Sequence, residues 1–201
     1  MSRAISACQL ISADGQGIVW AGRLLSVPIP ERVAGVDLFF RLIRWATDKG
    51  YRVYLLGGTE SVLRETMQRL LVTHPTLHIA GFRNGYFSRE EEDGIVRGIQ
   101  AAKPDILFVG MSSPKKEQFL ERYLKHLEVP FSMGVGGTFD IIAGKVKRAP
   151  RWMQRSGLEW FHRFLSEPGR MWRRYLWANV VFLGMVVKGL VFRKSHASSI
   201  R

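Results

Sequence analysis

Three times between Tyr51 and Thr138 a short apolar run ends in glycine. Tyr51-Arg-Val-Tyr-Leu-Leu56 leads into Gly57-Gly58-Thr59, Asp105-Ile-Leu-Phe-Val109 into Gly110, and Pro130-Phe-Ser-Met133 into Gly134-Val-Gly-Gly-Thr138. Runs apolar at nearly every position, rather than at every second one, suit strands covered on both faces, as in parallel sheets. Parallel neighbours need a crossover long enough to hold a helix, and the stretches between the runs supply it. We expect strands over 51–56, 77–82, 105–109 and 130–133, alternating with helices over 33–49, 61–73, 89–102 and 114–127. In the first of these helices Val33, Val36, Phe40 and Ile43 share a face, and Gly50 ends it. The fold class expected is α/β: a Rossmann-like, mostly parallel sheet with helices on both faces. Right-handed crossovers then direct ligands to the C-terminal strand ends. Ahead of this block, Ala7–Ala13 and Ile18–Trp20 flank Asp14-Gly15, the pattern of two strands around a turn.

The character of the chain changes after residue 144. Residues 145–201 hold 13 Lys or Arg against Glu159 and Glu167, a net charge of +11, whereas residues 1–144 hold 17 basic and 15 acidic side chains. The expected organisation is a Rossmann-like core over 1–144 and a basic, aromatic-rich helical appendage over 145–201. Such a field recruits polyanions: nucleic acid, an anionic membrane surface or a charged substrate. Interleaved Arg and Trp would suit a nucleic-acid groove, yet no nucleic-acid-binding signature occurs. Leu176–Phe192 is an apolar stretch interrupted by residues that include Asn179, Gly184 and Lys188, short of the roughly 20 uninterrupted residues of a membrane span. With Arg173, Arg174, Arg193 and Lys194 at its ends, and Trp172 and Trp177 nearby, it reads as lying on a leaflet or packing on the domain. Cys8 is alone, which excludes an intramolecular disulfide and fits a reducing compartment. The first residues lack the apolar core of a signal peptide.

The glycine loops are candidate phosphate cradles, because glycine lets backbone N–H groups approach an anion at a helix start. None has Walker spacing or a full dinucleotide fingerprint, so their joint position on one sheet edge carries the reading. Asp14 is a candidate carboxylate, although Asp-Gly is equally a favoured turn pair. Asp140 suits a helix cap or a ribose hydroxyl, and Glu117 and Gln118 fall in the first turns of a helix opened by Pro114. No Asp-x-Asp pair occurs, so arginine is expected to neutralise any departing phosphate, with no metal and no cofactor. Arg170, Arg173, Arg174 and Trp177 recur at helical spacing on the helix that Ser166-Glu-Pro168 would start.

Read together, these segments resemble the WecG/TagA/CpsF family of bacterial glycosyltransferases. The likeness rests on Ala13-Asp14-Gly15, Glu31-Arg32-Val33-x-Gly35-x-Asp37, Leu56-Gly57-Gly58 and Gly81-x-x-x-Gly85-Tyr86-Phe87. It continues through Pro114-Lys-Lys-Glu117-Gln118, Gly134-x-Gly136-Gly137-x-Phe139-Asp140, Arg148-Ala-Pro150 and Gly157-Leu-Glu159-Trp160, then Arg163 and Glu167-Pro168-x-Arg170. The resemblance implies inverting, metal-independent transfer of N-acetylmannosamine or a related hexose from a UDP-sugar to a polyprenyl-diphosphate-linked sugar. It implies that Asp14 is the general base, with Arg32 and Gln118 lining the sugar and phosphate site. Gly57, Gly58, Gly136 and Gly137 would border the nucleotide, Tyr86 stack on uracil, and Asp140 bind ribose. Arg163, Arg170, Arg173 and Arg174 would stabilise departing UDP. The enzyme is expected in the cytoplasm, peripheral on the inner face of the plasma membrane, without nucleic acid; a homo-oligomer is compatible. The family pattern also implies a strand ahead of Asp14, which this chain, starting a dozen residues before Asp14, is expected to lack. A UDP-binding domain without turnover is therefore the alternative, beside a nucleic-acid-binding module.

Overall fold

Between Tyr51 and Gly134 each apolar run becomes a strand, and each intervening stretch a helix. The computed structural model describes residues 8–166, 169, 172 and 180–190, with the backbone alone at Arg155, Arg163 and Ser166. In chain order the elements are α1 (Gln16–Leu24), α2 (Gly35–Lys49), β1 (Arg52–Gly57), α3 (Glu60–Thr73), β2 (His78–Arg83), α4 (Glu92–Ala102) and β3 (Ile106–Gly110). There follow α5 (Lys115–Tyr123), β4 (Phe131–Gly134), α6 (Thr138–Ile142), α7 (Arg151–Arg155) and α8 (Glu159–Ser166). Contacts divide the chain into two compact units, one built mainly of Gly35–Lys147 and the other of Ser12–Ala34 with the described residues from Arg148 onward.

The first unit is a wholly parallel sheet in the order β2-β1-β3-β4. Its strands bury side chains on alternate faces. Val53, Leu55, Ile106 and Phe108 pack with Phe39 and Ile43 of α2, Leu63 of α3 and Phe139 of α6. Tyr54, Leu56, Leu107 and Val109 pack with Ile95 and Ile99 of α4 and Phe119 of α5. Burying each such side chain contributes roughly 1.5–3 kcal/mol, which is why the apolar run is continuous. The Phe39 and Phe108 rings lie 4.5 Å apart, a tilted pair that locks α2 onto the sheet. The Thr59 hydroxyl caps α3, accepting from the Val62 N–H at 3.3 Å. Glu92 is buried in α4 at 3% exposure, and it is tolerated there because Arg122 of α5 donates to both its oxygens, at 2.7 and 2.9 Å.

In the second unit the turn expected at Asp14-Gly15 is a helix start instead. Residues 8–15 are irregular, and Gln16–Leu24 forms α1 with Gly15 as its N-cap. The apolar run Ile18-Val19-Trp20 allowed either period, and burial of Val19 and Gly22, three apart, goes with the helical one. Residues 180–190 are helical and run beside α1: a Cβ on Gly17 would lie 3.8 Å from Phe182, and one on Gly189 would lie 2.9 Å from Leu25. Val180, Leu183, Met185 and Val187 are exposed on that helix. Among the described residues no helix is long and apolar enough to cross a membrane. Of the helix expected to begin at Ser166-Glu-Pro168, only Ser166, Gly169 and Trp172 in its first turns are described, and its arginines, Arg170, Arg173 and Arg174, lie outside the described residues.

Candidate functional site

The chain leaves β1 toward β2 on one side and returns to β3 and β4 on the other, so the strand order reverses between β1 and β3. At such a reversal the flanking loops diverge and open a crevice beyond the strand ends. Here Gly57 and Gly110 are the paired last residues of β1 and β3. A Cβ on Gly57 would lie 2.3 Å from the Gly110 carbonyl carbon, and one on Gly85 would lie 2.9 Å from the Gly57 Cα. The Gly58 N–H donates to the Gly110 carbonyl at 3.0 Å, and the Gly85 N–H to the Gly58 carbonyl at 2.9 Å. The glycines therefore bring three loops together as the crevice floor, and the Gly58 N–H is engaged in that floor. Gly136 differs: it has a φ of +52°, and a Cβ there would meet nothing within 4 Å.

The remaining expected residues of this unit lie on the segments that follow β2, β3 and β4. Tyr86 follows Gly85 and is 76% exposed. Asp140 lies in the first turn of α6, and a Cβ on Gly137 would stand 3.9 Å from its Oδ2. Gln118 is exposed on α5, its N–H donating to the Pro114 carbonyl at 3.0 Å. Two lysines that the sequence reading passed over are placed more tellingly. Lys115 reaches the loop carrying Tyr86, donating to the Gly85 carbonyl at 2.9 Å. Lys116 lies across the end of β4, where a Cβ on Gly134 would fall 2.8 Å from its Cδ, and its ammonium meets Glu117 Oε1 at 3.2 Å. Burial opposes ionisation of Glu117, but its own backbone N–H, Lys116 and Ser113 outweigh that and hold its carboxyl below the usual range. Glu117 is thus a carboxylate at neutral pH, with Oε2 buried and without a hydrogen-bond partner. The signal in the sequence was Gly134, a strand-terminal glycine that leaves room for a long cationic stem.

In the second unit four segments of the motif series converge. The Val33 N–H donates to the Ala13 carbonyl at 3.0 Å, which sets the Asp14 and Arg32 segments side by side. A Cβ on Gly157 would lie 2.5 Å from Gln16 Cγ. Glu159 accepts from Arg32 Nη2 at 3.3 Å through one oxygen and from Arg148 Nε at 3.1 Å through the other. One carboxylate thus fixes two guanidiniums and leaves the group of three cationic. Asp14 itself is exposed just before α1. Of Arg163 only the backbone is described, within α8. Among the described residues no group of three His, Cys, Asp or Glu is placed to hold a metal ion. Glu159→Gln is expected to lower stability by about 1–3 kcal/mol, because a hydrogen bond to a charged group is weakened at both arginines. Faster amide exchange over 12–34, with little change in the sheet, is the measurement that checks it.

Comparison with known proteins gives this geometry a context. The model of the glycosyl transferase WecG/TagA/CpsF family matches residues 1–196. Two curated relatives are each named N-acetylglucosaminyldiphosphoundecaprenol N-acetyl-beta-D-mannosaminyltransferase. The one from Bacillus spizizenii strain W23 is 37% identical over 172 residues, and the one from Bacillus subtilis strain 168 is 36% identical over 172 residues. Each alignment covers 86% of this chain and 66% of the relative, so the chain spans just under two thirds of the proteins it matches. On the family match and on this identity, the chain belongs to the WecG/TagA/CpsF family of glycosyl transferases.

Proposed function

We propose that the chain carries a hexosyltransferase moving N-acetylmannosamine, or a closely related hexose, from UDP to a sugar borne on a polyprenyl diphosphate. The observation that carries the reading is the convergence of Gly57, Gly58, Gly85 and Gly110 at the β1/β3 reversal, in a chain whose relatives are named for this transfer. The nucleotide is assigned to that strand edge, with uracil on Tyr86, ribose at Asp140, and the diphosphate near Gly136 and Gly137. Lys116 adds a cation at the same strand ends.

In the reaction the acceptor hydroxyl attacks the anomeric carbon, the bond from that carbon to the UDP oxygen breaks, and UDP leaves with the electron pair. Attack from the face opposite the leaving group inverts the centre, which fits a β product from an α-linked nucleotide sugar. Asp14 takes the hydroxyl proton. Arg32 and Gln118 are assigned to the sugar and its phosphate, and Arg163, Arg170, Arg173 and Arg174 to the charge on departing UDP. The 145–201 appendage, with its net charge of +11, is assigned to an anionic membrane on the cytoplasmic side, where the acceptor's lipid is anchored. Rates settle the matter. Given UDP-N-acetylmannosamine and a short-chain polyprenyl-diphospho-N-acetylglucosamine, the protein is expected to release UDP only when the acceptor is present, and equally in EDTA. UDP binding without acceptor-dependent release leaves a nucleotide-binding domain and defeats the proposal; loss of rate in EDTA defeats its metal-free step.

A further inference from the structure

We infer that Lys115 is a positioning residue for the nucleotide, clamping the β2–α4 loop so that Tyr86 stands out as a fixed platform for the base. The inference rests on the nucleotide site proposed above and adds the element that makes its aromatic wall rigid. Lys115 Nζ donates to the Gly85 carbonyl at 2.9 Å and to the Phe87 carbonyl at 2.8 Å, the two carbonyls that bracket Tyr86. The same ammonium sits 3.9 Å from the centroid of the Phe87 ring. Two carbonyls and one ring face engage its three N–H groups, so its charge serves the loop rather than a phosphate.

The loop is held from other sides as well. Gly85 donates to the Gly58 carbonyl at 2.9 Å, and the Tyr86 N–H donates to Asn84 Oδ1 at 3.1 Å. Phe87 is buried at 9% exposure, its ring 6.0 Å from that of Phe119. Residues on both sides of Tyr86 are therefore anchored to the crevice floor, to α5 and to the core. Tyr86 alone points outward, 76% exposed, and contributes nothing to that core. A stacking partner of this kind binds tightly only if its backbone does not have to be ordered at the moment of binding. Lys115 supplies that order from the start of α5, the helix that follows β3, and so couples the loop beyond β2 to the one beyond β3.

The test measures UDP affinity and amide exchange on the full chain for Lys115→Met, Tyr86→Ala and the double variant. Lys115→Met keeps the apolar stem and removes the three donors. It is expected to weaken UDP about tenfold, to raise the donor KM with kcat little changed, and to speed exchange at the amides of residues 85–88. The double variant is expected to bind UDP no more weakly than Tyr86→Ala, because both changes remove one platform. Wild-type UDP affinity in Lys115→Met, unchanged exchange in the loop, or additive losses in the double variant would each overturn the inference. So would Tyr86→Ala binding UDP normally. A folded wild-type protein that binds no UDP at all instead defeats the nucleotide-site proposal, and this inference with it. Should Lys115→Met fail to fold, Lys115→Arg carries the test, since a planar guanidinium keeps the charge but cannot fit both carbonyls and the ring; wild-type affinity there counts against the clamp.

Discussion

Gly57→Ala is expected to cost at least about 4 kcal/mol, a large share of the roughly 5–15 kcal/mol that keeps an ordinary domain folded. Two costs combine. Gly57 has a φ of +131°, a conformation that L side chains rarely adopt, which accounts for roughly 1–3 kcal/mol. The new methyl would also stand 2.3 Å from both the carbonyl carbon and the oxygen of Gly110, far inside contact distance. Neither strand can move aside. Gly57 pairs with Gly110 across the two central strands, and Leu55, Leu56, Phe108 and Val109 just behind them are wholly buried. A close-packed interior resists shifts of this size. Gly136→Ala is the control: with a φ of +52° and no atom within 4 Å of the new Cβ, it should cost only about 1–2 kcal/mol. Urea unfolding of both variants reads the difference as a fall in midpoint at similar slope. Equal midpoints would mean that the β1–β3 junction is softer than its geometry implies.

That junction also marks where sequence reasoning succeeded and where it stopped short. The sheet was legible because Leu55-Leu56 and Leu107-Phe108-Val109 are apolar without alternation, and only strands buried on both faces need that. The strand-terminal glycines were read as a ligand edge, which remains a proposal. Their mutual packing was not legible, because a sequence does not reveal that the neighbour crowding Gly57 is Gly110, 53 positions away. Lys115 and Lys116 were hidden for a related reason: lysines at a helix start look like solvated charge until the Gly85 carbonyl and the bare face of Gly134 come into place. Asp14-Gly15 misled in secondary structure. A turn pair and a helix N-cap share the same residue preferences, and tertiary packing of Val19 and Gly22 decided between them. The convergence of Ala13, Arg32, Gly157 and Glu159 was legible only through the family motif series, since those residues span the chain and share no local period.

Asp14→Asn should remove nearly all turnover while leaving the protein folded. A positioned general base contributes about 10²–10⁴-fold, and the amide that replaces the carboxylate has the same shape but cannot accept the acceptor's proton. The stability cost should be small. Asp14 is exposed just before α1, where a carboxylate near the helix N-terminus contributes only about 0.3–1 kcal/mol. Nor should UDP affinity change much, because the role proposed for Asp14 is to take the acceptor's proton and not to hold the nucleotide. The diagnostic pattern is therefore a kcat lowered by about 10²-fold or more, with donor KM, UDP affinity and unfolding midpoint near wild type. A fall in donor affinity with kcat intact would instead make Asp14 a binding residue. Wild-type turnover in Asp14→Asn would remove it from the chemistry altogether, and the proton would then have to leave through a base in the rest of the chain or through solvent.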